Sequence, residues 1–142
     1  MVVDAGWSRL PEHWQCAFRQ AWAAYVAGTI PVGAVVVDPH GVVAAEARNR
    51  IFDAGDPPRG QLAGSWLAHA ELNTIAQIDA ERSTTAEGWA VYSTWEPCPL
   101  CKARHGFLSI YAEGSRPYPI RTSSKSSNCC MDEALRAGRR SV

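Results

Sequence analysis

Two short segments hold the side chains best suited to chemistry, His69-Ala70-Glu71 and Pro97-Cys98-Pro99-Leu100-Cys101. Together they offer one imidazole and two thiols, a zinc-type ligand set, and one carboxylate better suited to moving protons than to binding the ion. A catalytic zinc keeps three protein ligands and leaves its fourth tetrahedral position to water, whereas a fourth protein ligand would close the site. Water held there drops in pKa from about 15.7 to about 7, so hydroxide is available near neutral pH to attack an electron-poor carbon.

The spacings say how these residues must be carried. Positions i and i+2 do not share a helix face, so His69 and Glu71 converge on one ion only where a helix begins. Cys98 and Cys101 fit the same geometry, because Pro97 suits the approach to a first turn and the positive end of a helix favours thiolate over thiol. Two helix starts should therefore aim at one zinc. Glu71 would reach the water, a ring nitrogen and a departing amine; its plainer alternative is an acidic residue in a first helical turn.

The order His-x-Glu followed by Pro-Cys-x-x-Cys is a signature of zinc-dependent base deaminases. The chain resembles the cytidine/deoxycytidylate deaminase superfamily, in particular its branch of cytosine, guanine and tRNA-adenosine deaminases. That resemblance implies His69, Cys98 and Cys101 as zinc ligands and Glu71 as the proton shuttle. It extends to Pro31-Val32-Gly33-Ala34-Val35-Val36-Val37, similar to the family's first strand, and to Ala47-Arg48-Asn49-Arg50, similar to the end of its second, where an Asn contacts substrate. It covers about Trp14 to Leu108. It implies an α/β fold, a three-layer α/β/α sandwich around a mixed central sheet, and substrate contacts from Asn49, Ala34, Ala70, Trp95 and Glu96. Trp95-Glu96-Pro97-Cys98 is also similar to the Trp-Ser-Pro-Cys of polynucleotide cytidine deaminases, in which the Trp lines the base pocket; core packing is the other reading of Trp95. Asn49 has a turn role as its alternative, and Trp66 is a weaker wall candidate.

The elements that must position these residues are legible in part. Trp14, Ala17, Phe18, Ala21, Trp22 and Tyr25 recur at helical spacing, with Pro11 and Glu12 suited to the start and Gly28 to the stop. This predicts a helix packing its aromatic stripe into the core. Val32 to Asp38 reads as a strand buried on both faces, Asp38-Pro39-His40-Gly41 as a turn, and Val42 to Ala47 as a second strand. Residues 49–65, rich in Gly, Pro and Asp, form a long loop, a feature usually functional or mobile. Leu67 to Ala80 reads as a helix with Leu72, Ile75 and Ala76 inward, Trp89 to Thr94 as a third strand, and Cys98 to Leu108 as a further helix. His13 and Cys16 lie in the first helix without an evident partner, and His105 faces solvent or caps.

After Ile110 the pattern breaks down: Gly114 to Cys130 holds Pro117, Pro119 and five serines, and only Met131 to Arg140 has helical character. The expected organisation is a deaminase domain over 1–110 and an atypical basic tail over 111–142, either an unusual extension or the product of a reading frame lost near Arg104. Cys129-Cys130 lacks the two-to-four-residue spacing of zinc ligand pairs and reads as free thiols.

Composition excludes several classes. At 142 residues, 46% hydrophobic and 20% charged, the chain suits a single globular core. No apolar stretch approaches the roughly 20 residues a membrane span needs, and residues 1–6 lack a secretory pattern, so the default address is the cytoplasm. Five cysteines argue against a closed disulfide framework. The charges are uneven: residues 1–101 carry six Lys/Arg against eleven Asp/Glu, and residues 102–142 eight against three. An acidic catalytic body disfavours a folded RNA substrate, whose phosphates call for cations around the site.

The leading expectation is a hydrolytic deaminase of a free nucleobase, nucleoside or related amino-heterocycle, assembled as a homodimer or higher homo-oligomer. Adenosine deamination in tRNA is the alternative, to which the extra residues between Asp56 and His69 are opposed. A catalytically inactive, zinc-stabilised interaction domain is a third reading, opposed by Glu71. A thiol oxidoreductase is a fourth: Cys98-Pro99-Leu100-Cys101 looks locally like a glutaredoxin site, but the 41 residues after Cys101 do not read as the strands that fold requires.

Overall fold

The computed structural model describes residues 4–79, 88–104 and 109–112. Its centre is a four-stranded sheet of order β2-β1-β3-β4, built from β1 (Gly33–Val37), β2 (Val43–Arg48), β3 (Ala90–Ser93) and β4 (Ser109–Ala112). β1 runs antiparallel to both β2 and β3, and β3 runs parallel to β4, so the sheet is mixed. The helices are α1 (Asp4–Trp7), α2 (Glu12–Val26), α3 (Ala70–Ile75) and α4 (Pro99–Arg104).

The β-branched run in β1 does what its composition requires, since all five residues are buried. Successive side chains alternate between the faces of a strand. Val35 and Val37 pack with Cys16 and Ala17 of α2, Ala34 packs with Ala70 of α3, and Val36 joins Trp89, Val91 and Ile75 on that second face. Helices thus cover both sides, giving the three-layer α/β/α arrangement. β2 alternates in burial, as befits a strand at the edge of the described sheet.

Only the N-terminal part of the aromatic stripe of α2 packs, where Ala17 is buried and Trp14 lies against the core. Cys16, Ala17 and Ala24 are buried, whereas Trp22 and Tyr25 are 66% and 62% exposed. Gly33 supplies the reason. A methyl group there would overlap the Ala17 carbonyl oxygen and the Ala21 nitrogen, so the helix backbone lies directly on β1 and only small residues fit between. Trp14 stays partly buried at the margin, edge-on to Tyr92, against which His13 also lies at 4.0 Å between ring centroids.

α3 is shorter than its periodicity suggests, and its buried residues are Ala70, Glu71, Asn73 and Thr74, while Ala76 is exposed. Thr74 Oγ1 donates to the Ala34 or Ala70 carbonyl, tying the helix to β1. No helix among the described residues is long and apolar enough to cross a membrane. His105, Cys129, Cys130, the expected helix of 131–140 and the rest of the tail beyond Ala112 lie outside the described residues.

Candidate active site

His69 occupies the N-cap position of α3 with an extended backbone, and Cys98 immediately precedes α4. Two helix starts therefore converge, as the spacings require. His69 Nδ1 is 3.5 Å from Cys101 Sγ and 3.7 Å from Cys98 Sγ, and the two sulfurs are 3.6 Å apart. Tetrahedral zinc with bonds of about 2.3 Å to sulfur and about 2.0–2.1 Å to nitrogen sets edges of about 3.8 Å between sulfurs and about 3.6 Å between sulfur and nitrogen. The observed triangle matches those edges within a few tenths of an ångström, and His69, Cys98 and Cys101 form the one group of this kind among the described residues that could hold a metal ion. The donor set fits zinc.

Cys101 has no exposed surface. Burial, reinforced by the Glu71 carboxylate and by Cys98, pushes its thiol far above the ordinary range. A cation held by the three residues would supply the opposite field and favour the thiolate. The Cys101 N–H also donates to Cys98 Sγ at 3.5 Å, as a helix start allows.

Glu71 lies in the first turn of α3 and is 4% exposed. Its Oε1 accepts from the buried Ser93 hydroxyl at 2.7 Å, and its Oε2 lies 3.7 Å from Cys101 Sγ. The carboxylate is held at the edge of the ligand triangle by a neighbour on β3.

A cavity of about 460 Å³ opens over this group. Ile30, Pro31, Val32, Ile51 and Trp95 give it apolar walls, and Asn49, His69, Glu71, Glu96 and Cys98 add polar atoms. Trp95 is 68% exposed at the rim, so core packing does not describe it. Glu96 lies there too, paired with Lys102 at 2.7 Å. Ala34 and Ala70 do not line the cavity; both are fully buried and pack with Val32, which does. Trp66 turns to Phe52, away from the cavity wall.

Asn49 is 4% exposed, immediately after β2, and its Oδ1 accepts from Thr29 Oγ1 at 2.9 Å and from the Ile51 N–H at 3.0 Å. The loop that follows is pinned rather than loose. Arg48 makes a two-pronged bond to Asp53, which Arg50 also reaches; Arg50 holds Gln61, and Asn73 clasps Leu62 through both its N–H and C=O. These partners hold the Asp53 carboxyl below the usual carboxylate range, the Arg48 hydrogen bond most strongly. Sequence reasoning missed Ser93, Thr29 and Ile30. A serine among strand residues and a threonine after a helix-ending glycine carry no signal until the fold brings Glu71 and Asn49 to them.

Comparison with known proteins agrees with this geometry. A family model described as the cytidine and deoxycytidylate deaminase zinc-binding region matches residues 8–107. The chain is similar to a tRNA-specific adenosine deaminase of Aquifex aeolicus, 34% identical over 86 residues, or 60% of this chain and 50% of that protein. It is similar also to a tRNA(Ile)-lysidine synthase of Thermus thermophilus, 35% identical over 89 residues, or 63% of this chain and 15% of that protein. The chain spans half or less of the length of these curated relatives. Among solved structures, one from a study of A-to-I editing by tRNA:A34 deaminases at the wobble position of transfer RNA aligns with a TM-score of 0.53 and 28% identity, over 70% of this chain and 72% of that one. A guanine deaminase of Bacillus subtilis aligns with a TM-score of 0.52 over 94% of this chain and 96% of its own, at 21% identity, a likeness of fold.

Proposed function

This chain belongs to the zinc-binding cytidine and deoxycytidylate deaminase family, and from that premise we propose that it deaminates a free nucleobase, nucleoside or related amino-heterocycle by hydrolysis. The observation that carries the substrate class is the cavity wall, in which no lysine or arginine takes part among the described residues. The nearby Arg48 and Arg50 are both engaged by Asp53. A polynucleotide substrate would call for cations to meet its phosphates, whereas apolar walls with a few polar atoms suit a small planar ligand.

His69, Cys98 and Cys101 are the residues that would hold zinc. Bound there, the ion supplies a Lewis acid able to ionise water near neutral pH. Glu71 takes the proton of the attacking water and passes it to the ring nitrogen beside the amine-bearing carbon. It then collects the remaining proton of the hydroxyl now joined to that carbon and hands it to the departing amine, so that N=C–NH2 and water become HN–C=O and ammonia. Trp95 stacks on the heterocycle at the rim, and Asn49 binds its polar edge. Ala34 and Ala70 act indirectly, by packing with the cavity-lining Val32, and Glu96 contributes at the mouth. A cytoplasmic setting and a homodimer or higher assembly go with this activity; the exposed Trp22 and Tyr25 support an assembled state.

The test is ammonia release by the zinc-loaded protein from cytosine, guanine, cytidine and adenosine, alongside inosine formation in a tRNA anticodon arm. Release from at least one small substrate with an unchanged tRNA is the expected result. The second reading, adenosine deamination in tRNA, is favoured by the similarity to the Aquifex protein. Inosine formation with the small-molecule panel inert would establish it in place of the first.

A further inference from the structure

We propose that Thr29 is a positioning residue that locks the Asn49 amide with its Nδ2 as the donor offered to the cavity, so that the site selects heterocycles with a hydrogen-bond acceptor on the edge facing Asn49. The inference rests on the cavity being the substrate site, and it adds which residue sets the polarity of that contact. The lock begins at the end of α2. Gly28, at φ 77°, donates its N–H to the Tyr25 carbonyl, and Thr29 donates its own to the Ala24 carbonyl, the paired bonds of a Schellman cap. The cap fixes the backbone of Thr29 and buries it to 7% exposure.

From there, Thr29 Oγ1 accepts from the Phe52 N–H at 3.4 Å and donates to Asn49 Oδ1 at 2.9 Å. The Ile51 N–H donates to the same oxygen at 3.0 Å. Two donors fill both lone pairs of Oδ1, and a flipped amide would set Nδ2 against the Ile51 N–H, donor against donor. The amide therefore has one orientation. Its Nδ2 has no partner among the described residues, although Asn49 is buried and lines the cavity. A buried N–H pair calls for an acceptor, and a ring carbonyl oxygen or an unprotonated ring nitrogen provides one, whereas an amino group at that edge would oppose it.

The experiment compares the zinc-loaded full chain with Thr29→Val and Thr29→Ser. Side-chain amide NMR of Asn49 is read without substrate, and kcat/KM is read for cytosine against 4-aminopyrimidine and for guanine against 2-aminopurine, pairs that differ by the exocyclic oxo group. Thr29→Val should shift or broaden the Asn49 amide pair and lower the preference for the oxo base on the order of tenfold. Thr29→Ser should preserve both. An unchanged amide pair and an unchanged preference in Thr29→Val would overturn the proposal. If the parent protein deaminates none of these bases, the substrate reading fails, while an unmoved amide pair in Thr29→Val still overturns the role of Thr29 and a moved one sustains it.

Discussion

The Ser93 hydroxyl donates to Glu71 Oε1 at 2.7 Å between two buried side chains, one on β3 and one on α3. The bond crosses from sheet to helix and occupies one carboxylate oxygen, leaving Oε2 toward Cys101 Sγ, 3.7 Å away. A proton shuttle depends on where its free oxygen points, so Ser93 orients the group proposed to do the chemistry. Ser93→Ala should lower kcat by roughly tenfold while zinc content stays at the parent level, short of the ~10²- to 10⁴-fold loss expected when a general acid/base is removed, as in Glu71→Gln. Steady-state ammonia release together with metal analysis checks this; parental turnover in Ser93→Ala would deny the orienting role.

Metal content separates ligands from shuttle. Purified protein should hold about one zinc per chain, because one imidazole and two sulfurs already form a tetrahedral face. His69→Ala and Cys98→Ala should lose the ion and melt at lower temperature, since metal binding and folding are coupled. Glu71→Gln should retain it. Full zinc occupancy in Cys98→Ala would move the metal elsewhere.

The parts of this fold that could be read from sequence are those in which residue type and spacing point the same way. The buried β1 strand, the Gly28 stop and the convergence of His69 with Cys98 and Cys101 each have a local cause. The orientation of α2 was hidden, because large aromatics at helical spacing resemble a core face, and only the approach at Gly33 shows that alanines must take it. The buried side of α3 was hidden for the converse reason: Asn73 and Thr74 are polar, and their burial rests on partners at Leu62 and Ala34 distant in sequence. The loop of 49–65 looked free because the Arg48 to Asp53 and Arg50 to Gln61 bonds leave no periodic trace.

The approach at Gly33 makes a sharp stability prediction. Gly33→Ala inserts a methyl group against the α2 backbone, where neither helix nor strand can yield cheaply, and overpacking against backbone falls at the upper end of the usual cost, about 3 kcal/mol. The melting temperature should fall by roughly 2–4 °C for each kcal/mol lost. The control Ala23→Gly lies on the exposed side of α2 and should cost only the ordinary helix-propensity difference of about 1 kcal/mol. Calorimetry on the zinc-loaded proteins compares the two, and equal losses would deny the close contact.

Asp53 ties loop stability to pH with a definite sign. Its carboxyl is held below its ordinary value of 3.8, first by the Arg48 hydrogen bond, which outweighs the opposing effect of burial, and further by Arg50. The folded chain therefore binds fewer protons at this group than the unfolded chain, and stability rises with pH in that window. The contribution is complete above the unfolded value and is lost as pH falls below about 3.8 toward the lowered folded value. Asp53→Asn should remove this component, giving a shallower fall in melting temperature between about pH 5 and pH 3 than the parent shows. It should also release Arg48 and Arg50, so that proteolysis within residues 49–65 quickens at pH 7. An identical acid profile and an unchanged cleavage rate in Asp53→Asn would show that the loop is held by its remaining bonds, those of Arg50 to Gln61, of Asn73 to Leu62 and of Gly64 to the Arg50 carbonyl.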